Sequence, residues 1–592
     1  MRLRVIATDY DGTIAIDGVL DPRVREAIGN ARRRGVLVVI VSGRILSELR
    51  EVAGDLDFVD GVVAENGAVI ALPNGYTTLL GRSPDVALLS ELTHRGIDFK
   101  VGRCVVEMDA EFADVAIELI RSLELPLAIT FNRGRMMLLP AAVSKSSGLR
   151  ELLNTLGVSI HNAIGIGDAE NDHELLCTCE HGVAVQWGSA RLREIADHVI
   201  EGDGPAAVGD YIDRISAELR LPASRISHRK LILEDSEGHA PFQIGLRGRS
   251  VLVAGDTRSG KSWLAGLLIE QMILQGYTVY VFDPEGDYNN LASLPNTVAL
   301  GGGRLLPQGE DLTVLLQQGL SVVLNLSHLN HAEKTDYIHR HLAIVAAHRR
   351  ERGFPHRILI DECHYYFDDS QSQTLLDTEL DAYTLVTYRP SLLPKSVLQQ
   401  MEVVAVTRLS EREEVDAVRR LGVEAMGDVA GDAHRWYDQL SSLGINEAAL
   451  LPPTDEAEGK VRRFFVAPRL TSHVRHCTKY SDMPVAKGRE FVFTDHGRPV
   501  GSSAATLQEL VDVIPKVPPR ILSRHCRQHD FSRWIETLFA DHDLASDIRH
   551  LESTCCQNGT IDEFVDGVCK AIESRYPSRH AASNPGATFP AG

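Results

Sequence analysis

The sequence has no long run of Lys or Arg, no Cys-x-x-Cys pair and no apolar stretch longer than a strand needs. Each absence excludes something. With 61 basic against 81 acidic residues the formal net charge is -20. So acidic a chain is repelled by nucleic acid unless a local basic surface overrides the average. Generic electrostatic DNA binding is therefore not supported, although a basic pore formed on assembly would not show in the sum. Nine cysteines, an odd number scattered over 592 residues, do not form a disulfide framework. Apolar runs such as 35–41 are far shorter than a membrane span. The opening residues run straight into a strand and a motif, without an apolar signal region. These points predict a cytoplasmic protein with reduced thiols and no membrane contact. The 44% hydrophobic and 24% charged shares fit soluble globular protein, and the length predicts three or more domains.

Short apolar runs at 3–8, 36–41, 61–64 and 163–167 alternate with helical patterns over residues 1–215. That rhythm predicts a doubly wound, Rossmann-like α/β sheet. Residues 84–138 interrupt it and are read as a small α+β cap. A polar stretch, 216–248, is read as a linker with a leading hairpin. A second α/β series follows over 249–470, with strands expected at 250–254, 278–282, 321–326, 357–360, 383–387 and 403–407. Residues 486–576 read as a small, mainly helical unit, and the Pro/Ser/Ala/Gly-rich tail 577–592 as disordered.

The first strand ends in Asp9-Tyr10-Asp11-Gly12-Thr13. Carboxylates at the C-terminal end of a leading strand stand where open α/β sheets bind ligands. One carboxylate can attack phosphorus, and a second beside it can protonate the leaving oxygen and then deprotonate water. Alone, this motif could be a calcium-like loop or a solvated turn. Three further features point away from that. Ser42, in Val41-Ser42-Gly43-Arg44, offers a hydroxyl for a phosphoryl oxygen. Lys145, heading a helical pattern in Val143-Ser144-Lys145-Ser146-Ser147-Gly148, offers a positive charge to offset the nucleophile and the phosphoryl group. Gly165-Ile166-Gly167-Asp168-Ala169-Glu170-Asn171-Asp172 follows another strand and can complete a Mg²⁺ site of hard oxygens.

In this order the four pieces resemble the haloacid dehalogenase (HAD) superfamily, and within it the capped Cof-like or sucrose-phosphatase-like phosphatases. Glu65-Asn66-Gly67-Ala68 after the third strand is also typical of that subgroup. The resemblance implies that Asp9 is the nucleophile and a Mg²⁺ ligand. It implies that Asp11 is the general acid/base, with its backbone carbonyl on the metal. Ser42 and Lys145 would bind the phosphoryl group, Asp168 would ligate Mg²⁺, Asp172 would support the metal shell, and Asn171 would assist near the phosphate. In such enzymes the cap sets the substrate. Here Arg133 and Arg135 either meet an anionic phosphomonoester or are solvated surface charges.

Gly255-Asp256-Thr257-Arg258-Ser259-Gly260-Lys261-Ser262 follows the strand at 250–254 and opens a helix. It fits G-x-x-x-x-G-K-[ST] in the required context. The loop N–H groups, including those of Gly255, Thr257, Ser259 and Gly260, would cradle the phosphates of ATP. Lys261 would reach the β/γ-phosphates, and Ser262 would coordinate Mg²⁺. About a hundred residues on, Asp361 fits the Mg²⁺-water partner and Glu362 the base that polarises the attacking water. Together with Phe282-Asp283-Pro284-Glu285-Gly286-Asp287-Tyr288 and Thr387-Tyr388-Arg389-Pro390-Ser391, these residues resemble the HerA/FtsK/VirB4 class of ASCE (RecA-like) ATPases. Members are usually hexameric rings that move DNA or protein, so the resemblance implies a homo-oligomer, with a hexamer as the ring usual in that class. Two departures weaken the ring and the translocation: Tyr388 stands where a polar sensor is usual, and the N-terminal barrel and long insertions are absent or short. Arg408 is read either as a finger reaching a neighbour's nucleotide or as a surface arginine.

The segments at 487–493, 507–514 and 529–535 resemble a small domain of the DUF5752 type, a family label that supplies no chemistry. Trp534, Ile535, Leu538 and Phe539 share one helical face and read as core. His525, Cys526 and His529, like His473, His476 and Cys477, lack the Cys-x-x-Cys frame that zinc favours; Cys177, Cys179 and His181 are discounted in the same way. The expected protein is a bifunctional enzyme: a phosphomonoester phosphatase fused to a P-loop ATPase that drives assembly, gating or motion. A nucleic-acid end-processing kinase/phosphatase is the rival, which Glu362 and the 283–288 block oppose. A third reading makes the ATPase a nucleotide-gated regulatory or defence module.

Overall fold

The computed structural model describes the chain except residues 133, 223–228, 235–239, 304, 368–375, 377–380, 427–432, 445, 453, 472–484, 486–488, 496, 540–541, 558–559 and 576–592. The tail at 577–592, Arg133, and the His473, His476 and Cys477 group therefore lie outside the described residues. Two compact units make up the chain. One comprises 1–230 with 317–319 and 347–356, and the other the remainder. Among the described residues no helix is long and apolar enough to cross a membrane.

The first unit is built on an eight-stranded sheet. Its spatial order is His198–Ile200, His181–Val185, Ala163–Gly167, Val5–Thr8, Leu37–Val41, Gly61–Ala64, Val69–Ala71 and Thr77–Leu79. The first six are parallel, and the last two add antiparallel. Parallel strands covered by helices on both faces read as continuous apolar runs, as 5–7 and 37–41 do. Alternate residues serve the two faces. Ile6, Val38, Ile40 and Ile164 pack under the helices Pro22–Arg33 and Pro205–Glu218. Val5, Ala7, Val39 and Val41 pack with Leu149, Leu152 and Leu175 on the other side. Three adjacent strands, Ala163–Gly167, Val5–Thr8 and Leu37–Val41, therefore deliver Asp168, Asp9 and Ser42 to one edge. Helix Lys145–Leu156 brings Lys145 there. It is capped by Ser144, whose hydroxyl accepts from Ser147 N, and stopped by Gly157 in the left-handed region.

The cap is a four-stranded antiparallel sheet ordered Leu127–Asn132, Arg135–Pro140, Val106–Asp109, Phe99–Val101, with helices Val86–His94 and Ala113–Ser122. Leu88, Leu92, Met108, Leu119, Met136 and Leu138 form its own apolar cluster.

The second unit holds a nine-stranded sheet. The P-loop strand Val251–Ala254 lies between Tyr383–Thr387 and Val403–Val406, and Arg357–Ile360 lies one strand beyond Tyr383–Thr387. The antiparallel edge strands Glu447–Leu451 and Arg462–Phe465 extend this sheet. Neither they nor the 69–79 pair stand out in the sequence, because three to five residues are too few to show a period. The same unit includes the hairpin Phe491–Asp495/Arg498–Ala504 and five helices from Leu507–Val513 to Ile561–Arg575. Phe491, Phe531, Ile535 and Phe539 are buried together there, and Tyr388 of the P-loop sheet joins their cluster.

Candidate functional site

Four charged side chains converge at the C-terminal edge of the first sheet. The Lys145 ammonium donates to Asp9 Oδ1 and to Asp172 Oδ1, each at 2.6 Å. Its side chain is only 2% exposed. Asp172 Oδ2 accepts from the backbone N–H groups of Asp168 and Ala169, both at 3.0 Å, which fixes the 168–172 turn. Asp168 Oδ1 accepts from the Thr13 hydroxyl at 3.2 Å. Oxygens of Asp9, Asp168 and Asp172 all lie within 4.8 Å of one another, the one such set among the described residues. Burial and the adjacent Asp172 push the Asp9 carboxyl well above the usual carboxylate range, while Lys145 pulls it down. Burial works against the Lys145 charge, but Asp172 and Asp9 together outweigh it and raise its pKa. Three hard-oxygen carboxylates around one ammonium leave unbalanced negative charge, a donor set that suits Mg²⁺.

Asp9 opens from this cluster into a cavity of about 580 Å³. Asp11, Ser42, Asn66 and Asn171 line it from the core, and Lys100, Glu107 and Arg135 from the cap. Asp11 pairs with Arg44. The Arg44 guanidinium holds both its oxygens, at 2.5 and 2.7 Å. Arg135 is paired with Glu107 at 2.9 Å, and Lys100 with Glu48 at 2.6 Å.

In the second unit, Gly255 and Gly260 take positive φ, and a Cβ on Gly255 would fall 2.0 Å from the Thr407 hydroxyl. The loop thus demands glycine for space as well as for turning. The Lys261 ammonium donates to the carbonyl of Asp256 at 2.8 Å. Lys261 and Ser262 are each less than a tenth exposed. Asp361 and Glu362 close the strand Arg357–Ile360 and are fully buried, with Glu362 in the left-handed region. His364 Nδ1 lies 2.9 Å from the Thr387 hydroxyl and 3.8 Å from Glu362. Burial, only partly offset by Glu362, drives the His364 pKa down to about 3, so its ring is neutral. Arg408 lies 3.8 Å from Asp256 of its own P-loop. His525 is held by Asp530 and accepts from Thr494 N, as a core histidine would.

The model of the haloacid dehalogenase-like hydrolases matches residues 6–83 and 89–212. A phosphoglycolate phosphatase of Methanothermobacter thermautotrophicus is 30% identical over 223 residues, covering 36% of this chain and 98% of that protein. The chain belongs to the haloacid dehalogenase-like hydrolases. A phosphoglycolate phosphatase of Sulfolobus acidocaldarius is 28% identical to the hydrolase over 222 residues, covering 36% of this chain and 96% of that protein. A haloacid dehalogenase-like hydrolase from Bacteroides thetaiotaomicron aligns with a TM-score of 0.33 at 18% identity, covering 36% of this chain and all of that one. A second family model, the central domain of helicase HerA, matches residues 231–349, so the hydrolase is fused to a HerA-like domain.

Sequence reasoning gave no role to several residues that the structure brings to the hydrolase site. Thr13 and Arg44 stood inside quoted motifs, yet nothing in their spacing shows what they hold. Trp187 donates from its indole N–H to Gly12 O at 2.6 Å, bracing the Asp9–Thr13 loop. Its signal is its place just past the strand His181–Val185, at the same sheet edge. Removing the Lys145 ammonium leaves Asp9 and Asp172 facing each other unscreened. Lys145→Ala is expected to lower kcat for p-nitrophenyl phosphate by roughly 10²–10³, measured as phosphate release by protein of unchanged far-UV circular dichroism.

Proposed function

We propose that the first unit is a Mg²⁺-dependent phosphomonoester phosphatase, and that the P-loop of the second hydrolyses ATP. The observation that carries the phosphatase is the buried Lys145 bridging Asp9 and Asp172 beneath an open cavity. The proposed sequence has Asp9 attack phosphorus while the bond to the leaving oxygen breaks. Asp11 gives that oxygen its proton. Asp11 then takes a proton from water, which attacks the aspartyl-phosphate, breaks the bond to Asp9 and releases phosphate. Asp9, Asp168, Asp172 and the Asp11 carbonyl would hold Mg²⁺, which when bound supplies positive charge to the phosphoryl oxygens. Ser42 and Lys145 orient the group. Arg44 donates to both Asp11 oxygens, so Asp11 has to leave Arg44 to act as the acid.

Arg44, Lys100 and Arg135 around the cavity can each exchange a carboxylate partner for a second anionic group on a compact phosphomonoester. The curated relatives named phosphoglycolate phosphatases fit that chemistry. A panel of phosphoglycolate, sugar phosphates, nucleotides and phosphorylated oligonucleotide ends, each with and without Mg²⁺, tests the reading. Phosphoglycolate is expected to be turned over best, with Asp9→Asn inactive on every compound. Turnover that survives Asp9→Asn would sink the assignment.

ATP hydrolysis is supported by Lys261, Ser262, Asp361 and Glu362. Homo-oligomerisation, and a hexameric ring, rest on the HerA-like resemblance. Two contacts favour the regulatory reading of this ATPase. Thr257 of the P-loop donates from its hydroxyl to Phe539 O at 3.0 Å, and Arg389 donates to Thr537 O. Both carbonyls belong to the C-terminal, partly negative end of helix Asp530–Phe539. The adjacent Tyr388, whose hydroxyl lies 2.7 Å from that of Tyr365, is buried in the C-terminal helical cluster. The helices thus seat against the loop that would bind phosphate, and nucleotide entry displaces them. Thr257→Val removes one tether and is expected to speed association of a fluorescent ATP analogue about fivefold. An unchanged rate, with binding still abolished by Lys261→Ala, would rule the gate out.

A further inference from the structure

The Glu65-Asn66-Gly67 turn is a sequence feature that the phosphatase chemistry leaves unused. Glu65 and Asn66 both sit in the left-handed region, at φ 54° and 51°, although neither is glycine. Consecutive strained residues persist only where the surroundings hold them. Here the backbone is tied to the neighbouring motif: Glu65 N donates to Arg44 O at 2.9 Å, and Asn66 N to Ser42 O at 3.2 Å. Gly67 is wedged against the start of the Lys145 helix, where a Cβ would fall 1.9 Å from Ser144 O. The turn therefore has no freedom relative to Asp9, Ser42 and Lys145.

Its two side chains point to different places. Asn66 lines the cavity. The fully buried Glu65 carboxylate leaves the core and accepts from Arg103 N at 3.0 Å and Cys104 N at 2.9 Å. Those amides belong to the turn between cap strands Phe99–Val101 and Val106–Asp109. The fit is close from the cap side too. A Cβ on Gly102 would lie 2.6 Å from Glu65 Oε2. Cys104 and Val105 continue into the core cluster beside Ala68 and Val69. Lys100 and Glu107, just outside this turn on either side, both line the cavity, and Glu107 in turn holds Arg135.

We propose that Glu65 is the positioning residue that seats the cap over the cavity, so that it sets substrate affinity and not the rate of phosphoryl transfer. A carboxylate that accepts from two successive backbone amides fixes the turn in place and direction. Lys100, Glu107 and Arg135 are held over Asp9 through that turn, while Glu65 itself never touches the reacting atoms. The proposal rests on the phosphatase reading above.

Two variants approach the contact from opposite sides. Glu65→Gln leaves one amide without its carboxylate oxygen, and Gly102→Ala crowds Glu65 and Val105 from the cap side. In both, the full-length protein is expected to show KM for p-nitrophenyl phosphate raised about tenfold, with kcat within about threefold of wild type. Amide hydrogen exchange at 102–105 should quicken in the same proteins, which a general loss of stability would not confine to that turn. Unchanged KM in both variants, or a fall in kcat at constant KM, overturns the proposal. Turnover that persists in Asp9→Asn would instead strike the phosphatase reading, and the exchange rates at 102–105 alone would then decide the anchor: unchanged rates reject it.

Discussion

A lysine ammonium taken out of water is costly unless opposite charge surrounds it. Lys145 is buried between Asp9 and Asp172, and the first unit is arranged around that fact. Three parallel strands end at one edge so that Asp9, Asp168 and Ser42 meet there. A capped helix begins at Lys145, so that its ammonium reaches two carboxylates on different loops. With Asp9, Asp168 and Asp172 ionised, the sum is three negative charges and one positive, which leaves two uncompensated. The raised Asp9 pKa, caused by burial and by Asp172, is the trace of that imbalance. In the proposed reading a divalent cation and a phosphoryl group divide the task, one offsetting the carboxylates and the other taking up Lys145.

The P-loop unit handles buried charge differently. Lys261 turns back onto the carbonyl of Asp256, inside its own loop. His364 beside Glu362 stays neutral. Asp283, pushed up to about 7 by burial and by Asp287, accepts from the N–H groups of Gly286, Asp287 and Tyr288. The phosphatase cavity is open to about 580 Å³, whereas the P-loop side chains are closed in. In the proposed reading that contrast matches an enzyme that takes small substrates freely and a nucleotide site whose access is controlled.

Much of this was readable from residues alone, for a definite reason. Asp9, Ser42, Lys145 and Asp168 each sit at the end of a strand or the start of a helix. Such ends are marked by apolar runs, glycines and capping residues. What side chains do after leaving those ends is not marked. Nothing in the sequence says that Arg44 grips Asp11, that Glu65 reaches the cap, or that Thr257 meets a carbonyl 282 positions away. Tyr388 looked like a defect in a sensor position. It also packs into the cluster of the C-terminal helices, an arrangement visible only once two distant segments are in contact. The short antiparallel strands at 69–79 and 447–465 were missed because their pairing, not their composition, makes them strands.

The account stands or falls on Asp9 acting as a covalent nucleophile. The most direct measurement is acid-quenched labelling with a ³²P-phosphomonoester that the protein turns over, followed by peptide mapping. The account predicts transient label on the peptide that contains Asp9, lost in Asp9→Asn. Full turnover with no label at Asp9, or label that persists in Asp9→Asn, would contradict it.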